Sequence, residues 1–180
     1  MTIYTTCHET PLGRVMLAAK GDALVGLWLE GQKYFGATLN GEIRERNDLP
    51  IFVQTRDWLG RYFSGEKPLI SELNLDPAGS SFRKTVWKLL CQIPYGEVTT
   101  YGELAGMIAT ASHKKKMSSQ AVGGAVGHNA ISIIIPCHRV VGANGSLTGY
   151  AGGIAKKIQL LIHEQAYTDS FFIPGNSTAP

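Results

Sequence analysis

The residues best suited to chemistry in this chain are Pro136-Cys137-His138-Arg139-Val140. A cysteine beside a histidine and an arginine sits in the electropositive kind of surroundings that lower a thiol pKa from about 8.5 toward neutrality and favour the nucleophilic thiolate. A lone cysteine after an apolar run is more often an inert core residue, so the neighbours must decide. Haem attachment requires C-x-x-C-H, but the third residue before Cys137 is Ile134, and zinc requires further Cys or His at ligand spacing. Neither pattern is present. Attack on an acyl carbon needs an oxyanion hole and later release by water. Attack on an sp3 carbon needs only in-line access and a stabilised leaving group, and it leaves a thioether that water does not cleave. No Cys-Gly-Ser-Cys-Trp-like pattern surrounds Cys137, which favours alkyl transfer over the chemistry of a cysteine hydrolase.

Two further motifs flank this run, Ile93-Pro94-Tyr95-Gly96 before it and Gly145-Ser146-Leu147-Thr148-Gly149-Tyr150 after it. In this order, over Ser80 to Ala166, the three motifs resemble the active-site region of the O6-alkylguanine-DNA alkyltransferases, which repair DNA by direct reversal. The resemblance implies irreversible, stoichiometric transfer of a methyl or larger alkyl group from O6 of guanine, with O4 of thymine as a second lesion, to Cys137. It implies no cofactor; some family members carry an N-terminal zinc, but no metal site is expected in this chain.

Carried over residue by residue, His138 is the base that activates Cys137 through a bridging water, and Glu164 the carboxylate that orients the imidazole. Tyr101 donates to the departing guanine and crowds the target phosphate. Asn129 is the hinge between recognition helix and active site, Tyr150 walls the base pocket, and the backbone at Val140 and Ala151 meets the polar edge of the base. Arg139 is structural.

The implied partner is double-stranded DNA containing O6-alkylguanine, bound by a monomer through the minor groove with the damaged base flipped out. Flipping costs a few kcal/mol, least for a poorly paired nucleotide. A third helix bearing the small residues Ala121, Gly123, Gly124 and Ala125 is expected to enter the groove. At the position of the family's arginine finger this chain has Gln120, which lacks the cation and the stacking plane and predicts weaker or slower flipping. Lys114, Lys115 and Lys116 lie in a loop longer than in relatives and are expected to restore phosphate attraction. A non-catalytic sensor of alkylated DNA is the alternative, but alkyltransferase-like sensors replace the acceptor cysteine, and this chain retains it.

The elements that must position these residues are legible in the chain. With 180 residues and 44% hydrophobic content, it can bury a sizeable core. It contains no run of about 18 apolar residues and its first residues lack a secretory-signal profile, so a soluble protein is expected, cytoplasmic or, in a eukaryote, nuclear. Three cysteines without framework spacing fit a reducing compartment. Residues 1–79 carry eight Lys/Arg against ten Asp/Glu, and residues 80–166 nine against three, so the second half is the basic one. A basic half fits a polyanionic partner.

The fold expected is mixed α/β. The resemblance implies a ribonuclease H-like sheet-plus-helix domain over 1–76 and a winged-helix-like catalytic domain over 80–166, and as a chain terminus residues 167–180 are expected to be a mobile tail. Alternation over Ile3–Thr6, Arg14–Ala19 and Ala23–Leu29 predicts an antiparallel meander, with Pro11-Leu12-Gly13 and Lys20-Gly21-Asp22 as turns. Residues 31–50 read as a long loop. Phe52, Thr55, Leu59, Tyr62 and Phe63 predict a helix ended by Gly65 and Pro68, and Ile70–Leu75 a further strand. Cys7-His8 suggests a metal, but adjacent strand residues face opposite ways, so the pair is read as structural or incidental.

In the second half, Ser80 or Ser81 caps a helix with Phe82, Val86, Leu89 and Leu90 inward. Thr100 and Glu103 form a capping box, and Ser118–Gly127 is a glycine-laden third helix. Ile133-Ile134-Ile135 reads as a buried strand that ends at Pro136 and delivers Cys137. A Val141–Tyr150 hairpin serves as a wing. A closing helix buries Ile154, Ile158, Leu161 and Ile162, with Lys156 and Lys157 outside.

Overall fold

A computed structural model describes residues 2–113 and 115–175, and Lys114 of the lysine triplet lies outside them. The chain forms a mixed α/β structure of two compact units, residues 1–79 with 130–134, and residues 80–129 with 135–180. Five residues from within the second half thus belong to the first unit, a crossing that two successive domains do not contain. Among the described residues no helix is long and apolar enough to cross a membrane.

In the first unit, β1 (Ile3–Thr10), β2 (Gly13–Lys20) and β3 (Ala23–Leu29) form the meander that alternation predicts, turning at Pro11-Leu12 with Thr10 opposite Gly13. The sheet order is β3-β2-β1-β4. Strand β4 (Ile43–Glu45), parallel to β1, was not legible: three exposed residues on a sheet edge carry no burial pattern. Strand β3 is buried along its whole length, and the Trp28 indole occupies the space that a Cβ on Gly26 would need. Helix α1 (Pro50–Phe63) buries Ile51, Phe52, Thr55, Trp58, Leu59 and Tyr62 and starts with proline at its first position, where the missing N–H costs nothing. The strand expected at Ile70–Leu75 is instead a 3-10 turn at Ile70–Glu72, closed by Arg61–Glu72 and Glu72–Leu69 bonds. Only Leu75 bridges to Leu24.

Ile133 and Ile134 of the apolar run before the cysteine lie here too, and the run is not a strand. Ile131 bridges Leu27, with Leu27 N to Ala130 O at 2.8 Å and Ser132 N to Leu27 O at 2.9 Å, and then the chain turns at Ile133 with φ 70°. Left-handed backbone at a β-branched residue is strained by about 1–3 kcal/mol. Burial of all three isoleucines offsets it.

The second unit contains α2 (Ser81–Leu90), β5 (Thr99–Thr100), α3 (Tyr101–Ala111), α4 (Ser119–Gly127), β6 (Val140–Val141) and α5 (Ile154–His163). The capping residues act as their types require: Ser80 accepts from Arg83 N, Thr100 from Glu103 N, and Ser118 from Ala121 N. Glu103 reaches back to Thr100 N at 2.8 Å, completing the capping box. Strand β6 pairs in parallel with β5, Thr99 opposite Val140 and Thr100 opposite Val141. That pairing sets Tyr101, the first residue of α3, beside the cysteine segment. The Val141–Tyr150 hairpin has only one regular arm; Gly142 N to Ser146 O at 2.8 Å closes its turn.

Candidate active site

Cys137 arrives by a tight turn rather than from a strand end. Pro136, at φ −82° and ψ 63°, is the centre of an inverse γ-turn in which Cys137 N donates to Ile135 O at 2.8 Å. A single 3-10 turn over Cys137–Arg139 follows, with Val140 N bonded to Cys137 O. Proline stops a ladder here, as its chemistry requires, but the geometry it imposes is the turn itself.

Asn129, two residues beyond α4, fastens this turn. Its Nδ2 donates to Ile135 O at 2.8 Å and to Cys137 Sγ at 3.2 Å. Cys137 is 5% exposed. Burial pushes its thiol pKa up, against the pull of Asn129, the charge of Lys157 and the backbone N–H groups of Cys137 and His138. The expected lowering by electropositive neighbours is therefore reversed, because desolvation of a buried anion outweighs them. The thiol keeps its proton until a base takes it.

A candidate for that base is the next residue. His138 is fully buried and its Nε2 lies 2.7 Å from Glu164 Oε1. Burial lowers the imidazole pKa although Glu164 raises it, so the ring is neutral at pH 7. A carboxylate only accepts, so the proton resides on Nε2 and the lone pair on Nδ1, which is buried without a protein partner.

Burial alone would raise the Glu164 carboxyl, but His138 and Arg139 hold it well below the usual carboxylate range. Arg139 forks onto it, Nε to Oε2 at 2.7 Å and Nη2 to Oε1 at 2.9 Å, and its Nη1 donates to Ile93 O at 2.6 Å. Its guanidinium also faces the Tyr95 ring at 5.7 Å, and the Tyr95 hydroxyl donates to His163 O at 3.2 Å. A Cβ on Gly96, at φ 81°, would meet Glu164 O at 3.1 Å. The Ile93–Gly96 motif thus serves the Arg139–Glu164 pair, a connection that spacing alone does not contain.

Lys157 is the residue that sequence reading misplaced. It is 0% exposed, and its Nζ donates to Val140 O at 2.6 Å and to Thr148 O at 3.0 Å. Helix α5 buries Lys157, Leu160 and Leu161, and Ile162 is 56% exposed. The inward stripe is rotated because Glu164 must reach His138, and residues at i−3, i−4 and i−7 from Glu164 share its face. Burial lowers the Lys157 pKa to about 8, opposed by Cys137.

Tyr101 donates to Thr148 O at 3.1 Å, and its ring lies over Gly123 of α4. Burial raises its pKa to about 12, with Cys137 adding to the rise, so it remains a donor at neutral pH. Tyr150 is buried with an unpartnered hydroxyl. Ala151 is half-buried directly after it.

The structure brings Tyr101, Asn129, Cys137, His138, Val140, Tyr150 and Glu164 into one unit. On α4, Gln120, Ala121 and Gly124 are exposed and Gly123 half-buried. Ala125 departs from the expectation: it is buried, and its carbonyl accepts from Trp87 Nε1 at 2.9 Å. Lys115 and Lys116 are exposed. Among the described residues no group of three or more His, Cys, Asp or Glu stands where it could hold a metal ion.

A family model described as the 6-O-methylguanine DNA methyltransferase DNA binding domain matches residues 81–166, and one for the ribonuclease-like domain of the same family matches residues 3–77. A methylated-DNA–protein-cysteine methyltransferase of Haemophilus influenzae is 38% identical over 168 residues, 93% of this chain and 89% of its own length. One from Methanosarcina barkeri is 40% identical over 164 residues, 91% of this chain and 98% of its own. The crystal structure of Mycobacterium tuberculosis OGT in complex with DNA aligns with a TM-score of 0.76 at 38% identity, covering 92% of this chain and 94% of that one. With both halves matched and the cysteine segment inside the match over residues 81–166, this chain belongs to the 6-O-methylguanine DNA methyltransferase family.

Proposed function

We propose that this protein repairs DNA by moving a methyl or larger alkyl group from O6 of guanine to Cys137, once per molecule. The thiol proton passes through a bridging water to His138 Nδ1, and Glu164 and Arg139 stabilise the imidazolium that forms. The thiolate attacks the alkyl carbon in line. An S–C bond forms, the C–O6 bond breaks with its electrons going to the base, and the departing guanine takes up a proton. Thiol and alkylguanine thus become thioether and guanine.

Charge grows on the guanine as it leaves, so a donor aimed there acts on the transition state more than on the ground state. Tyr101 fills that role by turning its single O–H proton from Thr148 O to the base. The thioether has no carbonyl for water to attack, and the protein is consumed.

Supporting this reading is one observation above all. Asn129 Nδ2 donates to Cys137 Sγ, and the Lys157 charge favours its thiolate, while the adjacent imidazole is neutral, buried and tautomerically fixed by Glu164. That is a nucleophile–base–orienter arrangement for a thiol that must be deprotonated on demand. The relative from Mycobacterium tuberculosis is solved with DNA, and we extend duplex binding to this chain: α4 enters the minor groove by its open Gln120–Gly124 face, Gln120 fills the vacated stack, and Lys114, Lys115 and Lys116 add phosphate attraction. Val140 and Ala151 present backbone to the flipped base, Tyr150 walls it, and the protein acts as a monomer in the cytoplasm.

The test is to incubate the protein with O6-methylguanine duplex and weigh the tryptic peptide bearing Cys137. A gain of one methyl group at one equivalent is expected. No gain in mass supports a sensor, and repeated turnover supports a hydrolase; either result overturns the proposal.

A further inference from the structure

The chain beyond α5, expected to be a mobile tail, is built against the turn that leads into the pocket wall. Gln165 reverses the backbone at φ 58°, and the amides of Ala166 and Tyr167 both donate to Leu161 O, at 2.8 and 3.2 Å. A second turn, Phe171 N to Thr168 O at 3.0 Å, with the Tyr167 and Phe171 rings edge to face at 5.7 Å, sends the chain back toward Gly145. There Phe172 pairs as a strand residue would. Its N–H donates to Gly145 O at 3.2 Å and its carbonyl accepts from Leu147 N at 2.8 Å. Phe171 packs against the cluster of Val141, Leu147, Leu161 and Ala166.

A second, independent observation concerns Gly145. At φ 84° a side chain is disfavoured there, and a Cβ would stand 2.9 Å from Ser170 O. The glycine therefore admits the tail as well as making its own turn.

We infer that Ala166–Phe172 is a positioning element for alkyl transfer: by clamping Gly145–Leu147 from outside, it fixes Thr148, and through Thr148 the Tyr101 hydroxyl, relative to Cys137. Thr148 directly follows the clamped Leu147, and its carbonyl is the shared acceptor of Tyr101 and Lys157. Strand β6 pairs with β5, so Phe172 supplies the two bonds that a second hairpin arm would otherwise make. The inference rests on the function proposed above, and its test separates the two.

The full chain is compared with Phe172→Pro, which deletes the N–H bonded to Gly145, with Phe171→Ala and Phe171→Leu, and with Ile173→Ala as a control whose exposed side chain lies beyond the clamp. Single-turnover transfer from O6-methylguanine duplex is followed well below each melting temperature, together with the pH profile of Cys137 alkylation by iodoacetamide. A misplacement of about 1 Å can cost about 10²-fold in rate, so transfer at saturating DNA is expected to fall about 10-fold or more in Phe172→Pro and Phe171→Ala. The half-saturating DNA concentration and the iodoacetamide profile stay unchanged, and Phe171→Leu recovers most of the rate. Lower melting temperatures with unchanged transfer, or transfer and iodoacetamide reactivity falling together, would overturn the inference. A wild-type chain that transfers nothing would instead overturn the function.

Discussion

Replacing Glu164 with glutamine exchanges one oxygen for an NH2 group and keeps the side-chain shape. Both carboxylate oxygens are committed: Oε1 accepts from His138 Nε2 and Arg139 Nη2, and Oε2 accepts from Arg139 Nε. Either orientation of the amide sets its NH2 against an arginine donor. With nitrogen at the Oε2 position, one charge-assisted bond is lost, worth about 1.5–3 kcal/mol, and the histidine tautomer survives. With nitrogen at the Oε1 position, Nε2 of His138 must accept, its proton moves to Nδ1, and the base is lost.

The buried Arg139 charge loses its counter-ion in both cases, and breaking a buried pair costs about 3–5 kcal/mol. Glu164→Gln should therefore unfold at distinctly lower denaturant and transfer alkyl groups about 10²- to 10⁴-fold more slowly, as when the tautomer of a catalytic histidine is reversed. The assay is rapid-quench single turnover with a methylated duplex, at a temperature where the variant is folded, scored by the mass of the Cys137 peptide. Transfer within about threefold of wild type would show that Glu164 neither fixes the tautomer nor supports the imidazolium.

Three further outcomes are expected. Lys157→Met leaves Val140 O buried without its donor and should cost about 1–3 kcal/mol, measured by urea unfolding. Because burial lowers Lys157 to about 8 while an unfolded lysine titrates near 10.5, wild-type stability should rise with pH between those values, and the Met variant should lose that rise. Tyr101→Phe removes the donor to Thr148 and to the leaving base, and should slow transfer about 10²- to 10³-fold with little change in the amount of duplex bound, read by filter retention. Toward acid the signs agree for two groups. The unfolded chain takes protons that buried His138 refuses below 6.5 and that Glu164 refuses below 4.5, so the melting temperature should fall in both windows, and His138→Gln should remove the first.

Much of the fold is written in local pattern. Alternation marks β1 to β3, turn residues mark their connections, and Ser80, Thr100 and Ser118 mark helix starts, because each depends on bonds within a few residues. Cys137 was equally plain as the candidate nucleophile, since its neighbours in sequence lack the haem, zinc and cysteine-protease patterns, whereas the role of base for His138 came only from the family resemblance.

What sequence could not decide is which way a residue faces once distant groups compete for it. Lys157 reads as solvent-facing by type, yet two backbone carbonyls 9 and 17 residues away satisfy its ammonium and bury it. Three β-branched residues read as strand, yet Pro136 and the pairing of Leu27 with Ile131 make them a turn. The thiol of Cys137 reads as acidified by its neighbours, but its pKa is set by how much water the fold removes. The tail reads as mobile from its terminal position, yet Phe172 pairs as a strand residue would, with partners some 25 positions earlier. Residue types and local spacing thus determined the chemistry and the elements, whereas burial and long-range hydrogen bonding, which are properties of the packed chain alone, decided the protonation states and the geometry that carry it.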